Sequence, residues 1–397
     1  MGCKVVRIGD IAAINANQYS VREAWQHIQY LDTGNVTRGC ISSLQQLDPS
    51  SDKVPSRARR KVKPNSIVYS MVRPNQEHYA ILDNPPEDML VSTGFAVIDA
   101  DCRVVSPGYL YYALTTKATT DYFQALAEQS VSTYPTLSAS DLESYAIPLP
   151  SIDRQKKIEK ALNDLDAKIA LNTKLNGYLE EWGQGLLEKY QESCATTIPL
   201  SNVMDFGNGY AFKSGSYIQN GLYKVLTIKN VQDGSVDCSM SNRIDELPPK
   251  MKPFCKLQPG NVVLSLTGNV GRVGIVPEEN CLLNQRVAVL QPYNYALLPG
   301  LYFHFRQKAF QNEMIGIAKG TAQANLSPVE TLKLEMPYNK SFFEISQKLK
   351  PAFDLILANT IESKRLTVLR DALLPKLMSG EIDVSKIDLT QLNSHLA

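Results

Sequence analysis

The sequence predicts an α+β chain in which one mixed α/β domain occurs twice, each copy running into a long helix. Three observations carry this reading. One series of residues recurs in the second half of the chain in the same order. Runs rich in β-branched residues, punctuated by Pro and Gly, recur within each copy. An apolar heptad closes each copy. At 397 residues the chain also exceeds the size of one ordinary domain.

The repeat is visible residue by residue. Leu31-Asp-Thr-Gly-Asn-Val-Thr-Arg-Gly39 answers Leu226-Thr-Ile-Lys-Asn-Val-Gln-Asp-Gly234. At the same offset, Lys61-Val-Lys-Pro-Asn-Ser-Ile-Val-Tyr-Ser70 answers Lys256-Leu-Gln-Pro-Gly-Asn-Val-Val-Leu-Ser265. Phe95–Ile98 then matches Val287–Leu290, Leu137-Ser138 matches Leu326-Ser327, and Asn172-Thr173 matches Asn359-Thr360. The offset shrinks in small steps, as short deletions would produce, whereas chance matches would scatter.

Four segments follow: 1–150, 151–192, 193–340 and 341–397. In the first and third, Ile67–Val72, Phe95–Ile98, Val262–Leu266 and Val287–Leu290 read as buried strands. Helical stretches follow at Leu110–Ala127 and Leu301–Ile317. In the second, Ile158, Leu162, Leu165, Ile169, Asn172, Asn176 and Leu179 step by fours and threes. The fourth repeats this from Ile345 through Leu349, Ala352, Ile356 and Asn359 to Leu366, Leu369, Leu373 and Leu377, and Pro375 is expected to weaken or end that helix. Asn on an apolar seam sets register between paired helices, so the two helices are expected to pair with each other. Leu175, Trp182, Leu355 and Leu357 fall off the seam and are expected to face a partner.

Bulk composition narrows the function. Net charge is +1, so no global field drives the chain onto nucleic acid, and any such contact needs local basic patches. Acids slightly outnumber bases in 1–150, and bases outnumber acids in 193–340. The 7 Cys form no CxxC pair and only 4 His are present, which argues against a zinc site and suits a reducing cytoplasm. No apolar run reaches the length of a membrane span, and the charged start does not read as a signal peptide.

No catalytic motif is found. GxGxxG, Walker, HExxH and GxSxG patterns are missing, and no carboxylate group has nuclease spacing. Asn84-Pro85-Pro86 approaches a base-methyltransferase motif, but Glu87 stands where an aromatic is needed, which leaves a proline turn.

Several segments have the residue types that read DNA. Arg57–Lys63 concentrates cations, with Arg59, Arg60 and Lys61 at its centre; it fits a phosphate patch and fits a solvated loop equally well. The segment after the strand at Ile67 offers Arg73, Asn75, Gln76 and His78, and its repeat counterpart offers Asn269 and Arg272. Arg pairs with guanine edges and Asn or Gln with adenine edges. A further pair of polar stretches precedes the shared Leu-Ser: Ser132, Thr133 and Tyr134 in the first copy, Lys319, Thr321 and Gln323 in the second. Asn284, Gln285 and Arg286 open a strand, and Lys213 and Ser214 follow Phe212. Turns explain each segment singly; two loops at equivalent repeat positions with different polar residues are what two readers of different sequences would show.

These residues resemble a known family. Ile147-Pro-Leu-Pro-Ser-Ile-Asp-Arg-Gln-Lys-Lys-Ile158, Leu165–Asn172, Ala211–Ser214, Leu226–Gly234 and above all Leu369-Arg-Asp-Ala-Leu-Leu-Pro-Lys-Leu-Met-Ser-Gly-Glu-Ile382 are similar to type I restriction-modification specificity subunits, in that family's order. Pro337-Tyr-Asn-Lys340 departs from the pattern, which puts the second helix start in question. The resemblance implies two target recognition domains, each reading half of a split double-stranded DNA site. It implies two long antiparallel coiled-coil-like helices that separate them and dock two modification subunits, with restriction subunits joining that core. S-adenosylmethionine, ATP and Mg would belong to those partners, and this chain would hold no cofactor. A stand-alone DNA methyltransferase or nuclease with an unrecognised site is the alternative; a helical scaffold without a DNA role is opposed by the paired polar loops.

Overall fold

The protein was analysed as a computed structural model, which describes residues 4–23, 25–130, 134–239, 241–320 and 324–384. It divides into two compact units, one of residues 1–167 with 366–397, the other of residues 168–365. The α+β class and the repeat hold at the level of sheet topology.

In the first unit one sheet runs Ala12–Ile14, Phe95–Ala100, Ser66–Ser70, Tyr79–Leu82. In the second unit the corresponding order is Met204–Asn208, Val287–Pro292, Val262–Ser265, Val273–Ile275, extended by Gly234–Ser235. Each unit adds a four-stranded sheet with one parallel pairing inside it: Met89–Ser92 with Ile28–Leu31 in the first, Cys281–Leu283 with Tyr223–Leu226 in the second. A short antiparallel ribbon closes each domain, Lys4–Arg7 with Ala146–Leu149 and Thr197–Pro199 with Glu335–Pro337. The strands expected from the β-branched runs are therefore present, with ends shifted by one or two residues.

The two helical stretches are each broken. Pro107–Leu114 and Lys117–Glu128 replace a single helix because Thr116 turns extended and its hydroxyl accepts the Thr119 amide (3.1 Å), capping the second helix. Leu298–Arg306 and Lys308–Ile317 are separated by the extended Gln307.

The long helices lie where the heptads put them, the central one at Ile152–Glu192 and the C-terminal one at Phe342–Ser379. Pro375 does not end the second, contrary to expectation. Leu374, Leu377 and Met378 are buried in the first unit's core, and that packing outweighs the lost backbone hydrogen bond. The helix stops instead at Gly380, whose φ of +80° suits glycine. Its start at Phe342 lies within a residue of the expected boundary, and Pro337 before it is held in the closing ribbon.

Both units draw apolar residues from both helices. Ile158 and Leu162 pack with Leu374 and Leu377 in the first core. Leu187 and Tyr190 pack with Leu349, Ala352 and Ile356 in the second. The seam asparagines lie in the second unit and bond across the pair. Asn172 Nδ2 donates to Glu362 Oε2 (2.7 Å), Asn176 Nδ2 to the Ile356 carbonyl (3.3 Å), and Asn359 Nδ2 to Asn176 Oδ1 (2.8 Å). Residues rising along one helix meet residues falling along the other, so the pairing is antiparallel. Helix and domain are joined by buried polar side chains. Gln155 accepts the Ser106 amide (2.8 Å), and in the second unit Ser346, near the start of its long helix, accepts the Gly300 amide (3.0 Å).

His304 on Leu298–Arg306 is 3% exposed and lies 3.3 Å from Gln307 Oε1. Burial holds its imidazole pKa down at about 4. The unfolded chain takes up this proton first, near the ordinary value, as pH falls. Stability from the neutral ring is thus complete above about pH 6.5 and is lost towards pH 4, by about 3 kcal/mol. Denaturant midpoints of the wild type are expected to fall across that window more steeply than those of His304→Gln; parallel pH profiles would contradict this.

Candidate nucleic-acid interface

The two polar loops that the repeat singles out in each domain are brought together. In the first unit the Arg73–Gln76 loop follows the strand Ser66–Ser70, and Val72 forms an antiparallel bridge with Thr136. The Arg73 amide donates to the Pro135 carbonyl (3.0 Å), and its guanidinium lies over the Tyr134 ring at 4.8 Å. In the second unit the loop after Val262–Ser265 makes the same bridge, between Thr267 and Asn325. Lys319 and Asn325 exchange two backbone hydrogen bonds at the base of the second loop.

Arg73, Asn75 and Gln76 are exposed at the first loop pair. Arg73 (φ 49°) and Glu77 (φ 55°) are left-handed, a strained backbone of the kind held at functional loops. His78 differs: its ring is half-buried and bonded to the Val36 carbonyl, so it serves the loop rather than the surface. Ser132, Thr133, Thr321 and Gln323 lie outside the described residues. At the second loop pair Asn269, Gln285, Arg286 and Lys319 are exposed. Arg272 is half-buried and donates to Gln232 Oε1 (3.0 Å), and Asn284 Oδ1 accepts the Arg286 amide (3.2 Å). Lys213 and Ser214 are exposed at a short 3-10 turn.

The basic run is not a loop. Ala58–Lys61 is a strand paired with Met89–Ser92. Arg59 donates to the Ser56 carbonyl (3.3 Å), and burial lowers the pKa of half-buried Arg60. Lys61 pairs with Glu23 and lies 5.2 Å from the Trp25 ring, and Lys63 lies 3.5 Å from Asp99. Alternation along a strand distributes these cations and gives two of them carboxylate partners.

A separate apolar stripe marks the central helix. Leu171, Tyr178 and Trp182 are 57%, 56% and 53% exposed, with half-buried Leu175 between them. At about 100° per residue these four share one face, away from the Asn seam. Leu355 is exposed on the C-terminal helix, whereas Leu357 packs on its own unit's core beside Gly260. Among the described residues the group with metal-ligand chemistry is Cys238, Glu278 and Cys281, its sulfurs 3.7 Å apart. Lys224 and Lys364 both pair with Glu278, so that carboxylate's charge is met within the protein.

Comparison with known proteins identifies the family. The model of the type I restriction modification DNA specificity domain matches residues 2–181 and again 195–367. The type I restriction enzyme HindI specificity subunit of Haemophilus influenzae is 26% identical, over 96% of this chain and 99% of its own. The MjaIX specificity subunit of Methanocaldococcus jannaschii is 25% identical, over 97% of this chain and 94% of its own. Among solved structures, the type I restriction-modification system S subunit from M. genitalium shares the fold, with a TM-score of 0.51 at 18% identity over 94% of this chain and 96% of that one.

Proposed function

The chain belongs to the type I restriction-modification DNA specificity family, and on that premise we propose that it is the non-catalytic subunit that reads a split DNA site, one half with each unit. One observation supports this above the others: both units hold the same two sequence-remote loops together by the same bridge and fill them with different side chains. A common scaffold with unlike loops suits two readers of unlike sequences. Arg73, stacked on Tyr134, and Asn75 and Gln76 serve the first half-site; Asn269, Arg272, Gln285 and Arg286 serve the second. Lys213 and Lys319 carry charge without a base-reading fork and suit phosphates.

The helices dock two modification subunits. Leu171, Leu175, Tyr178 and Trp182 form an apolar face that the helix pair leaves open, and large exposed aromatics are the residues that anchor interfaces. Methyl transfer with S-adenosylmethionine belongs to those partners. DNA cleavage with ATP and Mg belongs to restriction subunits that join them, and the site of action is the cytoplasm. Among the described residues no helix is long and apolar enough to cross a membrane.

Two outcomes are expected. Selection from a random duplex pool by the chain with its modification subunits should recover two different half-sites separated by an unread spacer; one continuous palindrome would contradict the reading. Trp182→Glu with Tyr178→Glu should abolish co-purification with the modification subunits while circular dichroism stays unchanged. Full assembly by this variant would show that the stripe is not the docking face.

A further inference from the structure

The loop bridge belongs to a larger backbone frame that both units share. In the second unit the Leu266 amide donates to the Arg286 carbonyl (3.0 Å), and the Leu326 amide donates to the Leu266 carbonyl (2.7 Å). In the first unit the Met71 amide donates to the Gly94 carbonyl (2.9 Å), and the Leu137 amide donates to the Met71 carbonyl (2.8 Å). With the bridges Thr267–Asn325 and Val72–Thr136, these bonds align the two units position by position. Thr267 takes the place of Val72, Gln285 of Thr93, Arg286 of Gly94, and Asn325 of Thr136.

The frame is common and the side chains on it are not. In the second unit they line a recess of about 370 Å³ with Leu266. Thr267 is one of the lining residues; it is only 7% exposed, and its buried hydroxyl has no hydrogen-bond partner among the described residues. A buried hydroxyl without a partner costs stability, so its persistence on a residue that lines a polar recess points to a ligand. The recess carries no carboxylate. Its guanidinium offers donors alone, and its hydroxyl and two carboxamides offer donors and acceptors.

We propose that Thr267, Gln285, Arg286 and Asn325 form the pocket with which the second unit reads one guanine of its half-site. Guanine is the base whose major-groove edge is made of two acceptors, N7 and O6, which the Arg fork matches. At the same frame positions the first unit presents Val72, Thr93 and Thr136, with no cation or carboxamide. Methyl-bearing side chains of that kind suit the thymine methyl. Thr267 and Asn325 thereby become specificity residues alongside Gln285 and Arg286. This inference rests on the reading that the chain recognises DNA sequence with each unit.

The test is selection of duplexes from a random pool by the full chain assembled with its modification subunits, wild type against Arg286→Ala and Thr267→Val. Valine already occupies that frame position in the first unit, so the second variant keeps the fold. Discrimination at one G·C pair of one half-site should fall about 10- to 100-fold with Arg286→Ala and less with Thr267→Val, every other position being unchanged. If both variants select the wild-type sequence with undiminished preference, or if Arg286→Ala weakens all sequences equally as a phosphate contact would, the pocket is overturned while the reading of a split site stands. If the wild-type assembly selects no sequence, that broader reading fails first.

Discussion

The antiparallel pairing of the central and C-terminal helices is the constraint on which the rest depends. Neither core is complete without it. The first takes Ile158 and Leu162 from one helix and Leu374 and Leu377 from the other, and the second takes Leu187 and Ile356. The first unit is discontinuous in sequence, residues 1–167 with 366–397, whereas the second is the continuous stretch 168–365; each closes only when its two helical segments have found each other. Apolar seams alone tolerate a slip by a heptad. Asn172, Asn176 and Asn359 do not, because a slip would place their carboxamides against apolar neighbours with no partners to replace Glu362, the Ile356 carbonyl and each other. Buried asparagine lowers stability and raises the specificity of register.

On that frame, rigid and variable parts separate cleanly. The sheets, the closing ribbons and the amide contacts of Gln155 and Ser346 recur in both units and hold each domain to its helix. The loops recur in position only. Their bases are fixed by backbone bonds, which do not depend on side-chain identity, so the residues above them are free to change without loss of the fold. That is the physical basis on which one scaffold carries two unlike surfaces.

Much of this was legible in the sequence because periodic burial leaves a periodic trace. The heptads located both long helices to within a residue or two, and matched residues such as Lys61–Ser70 and Lys256–Ser265 announced the shared sheet. Local signals failed where packing decided. Pro375 sits inside a helix because Leu374, Leu377 and Met378 are buried around it. Arg57–Lys63 fits a phosphate patch and a solvated loop equally well by charge, yet it spans the strand Ala58–Lys61, where Lys61 finds Glu23, and just beyond it Lys63 finds Asp99. Leu357 falls off the heptad seam, as a partner-facing residue would, but packs on its own unit's core. Thr267 has no distinguishing mark in the sequence; what sets it apart is a buried hydroxyl without a partner among the described residues. The repeat held a usable hint: comparing Val72 with Thr267 and Thr136 with Asn325 shows chemistry changing where the neighbouring residues align.

The most direct measurement is hydrogen–deuterium exchange of the chain assembled with its modification subunits, with and without DNA carrying the selected site. If the bridged loops are the reading surfaces, DNA should add protection at residues 71–77 and 134–136 in the first unit and at 266–272, 284–286 and 324–326 in the second, while the stripe at 171–182 stays unchanged. Protection confined to one unit, or gained along the helices and not at the loops, would contradict it.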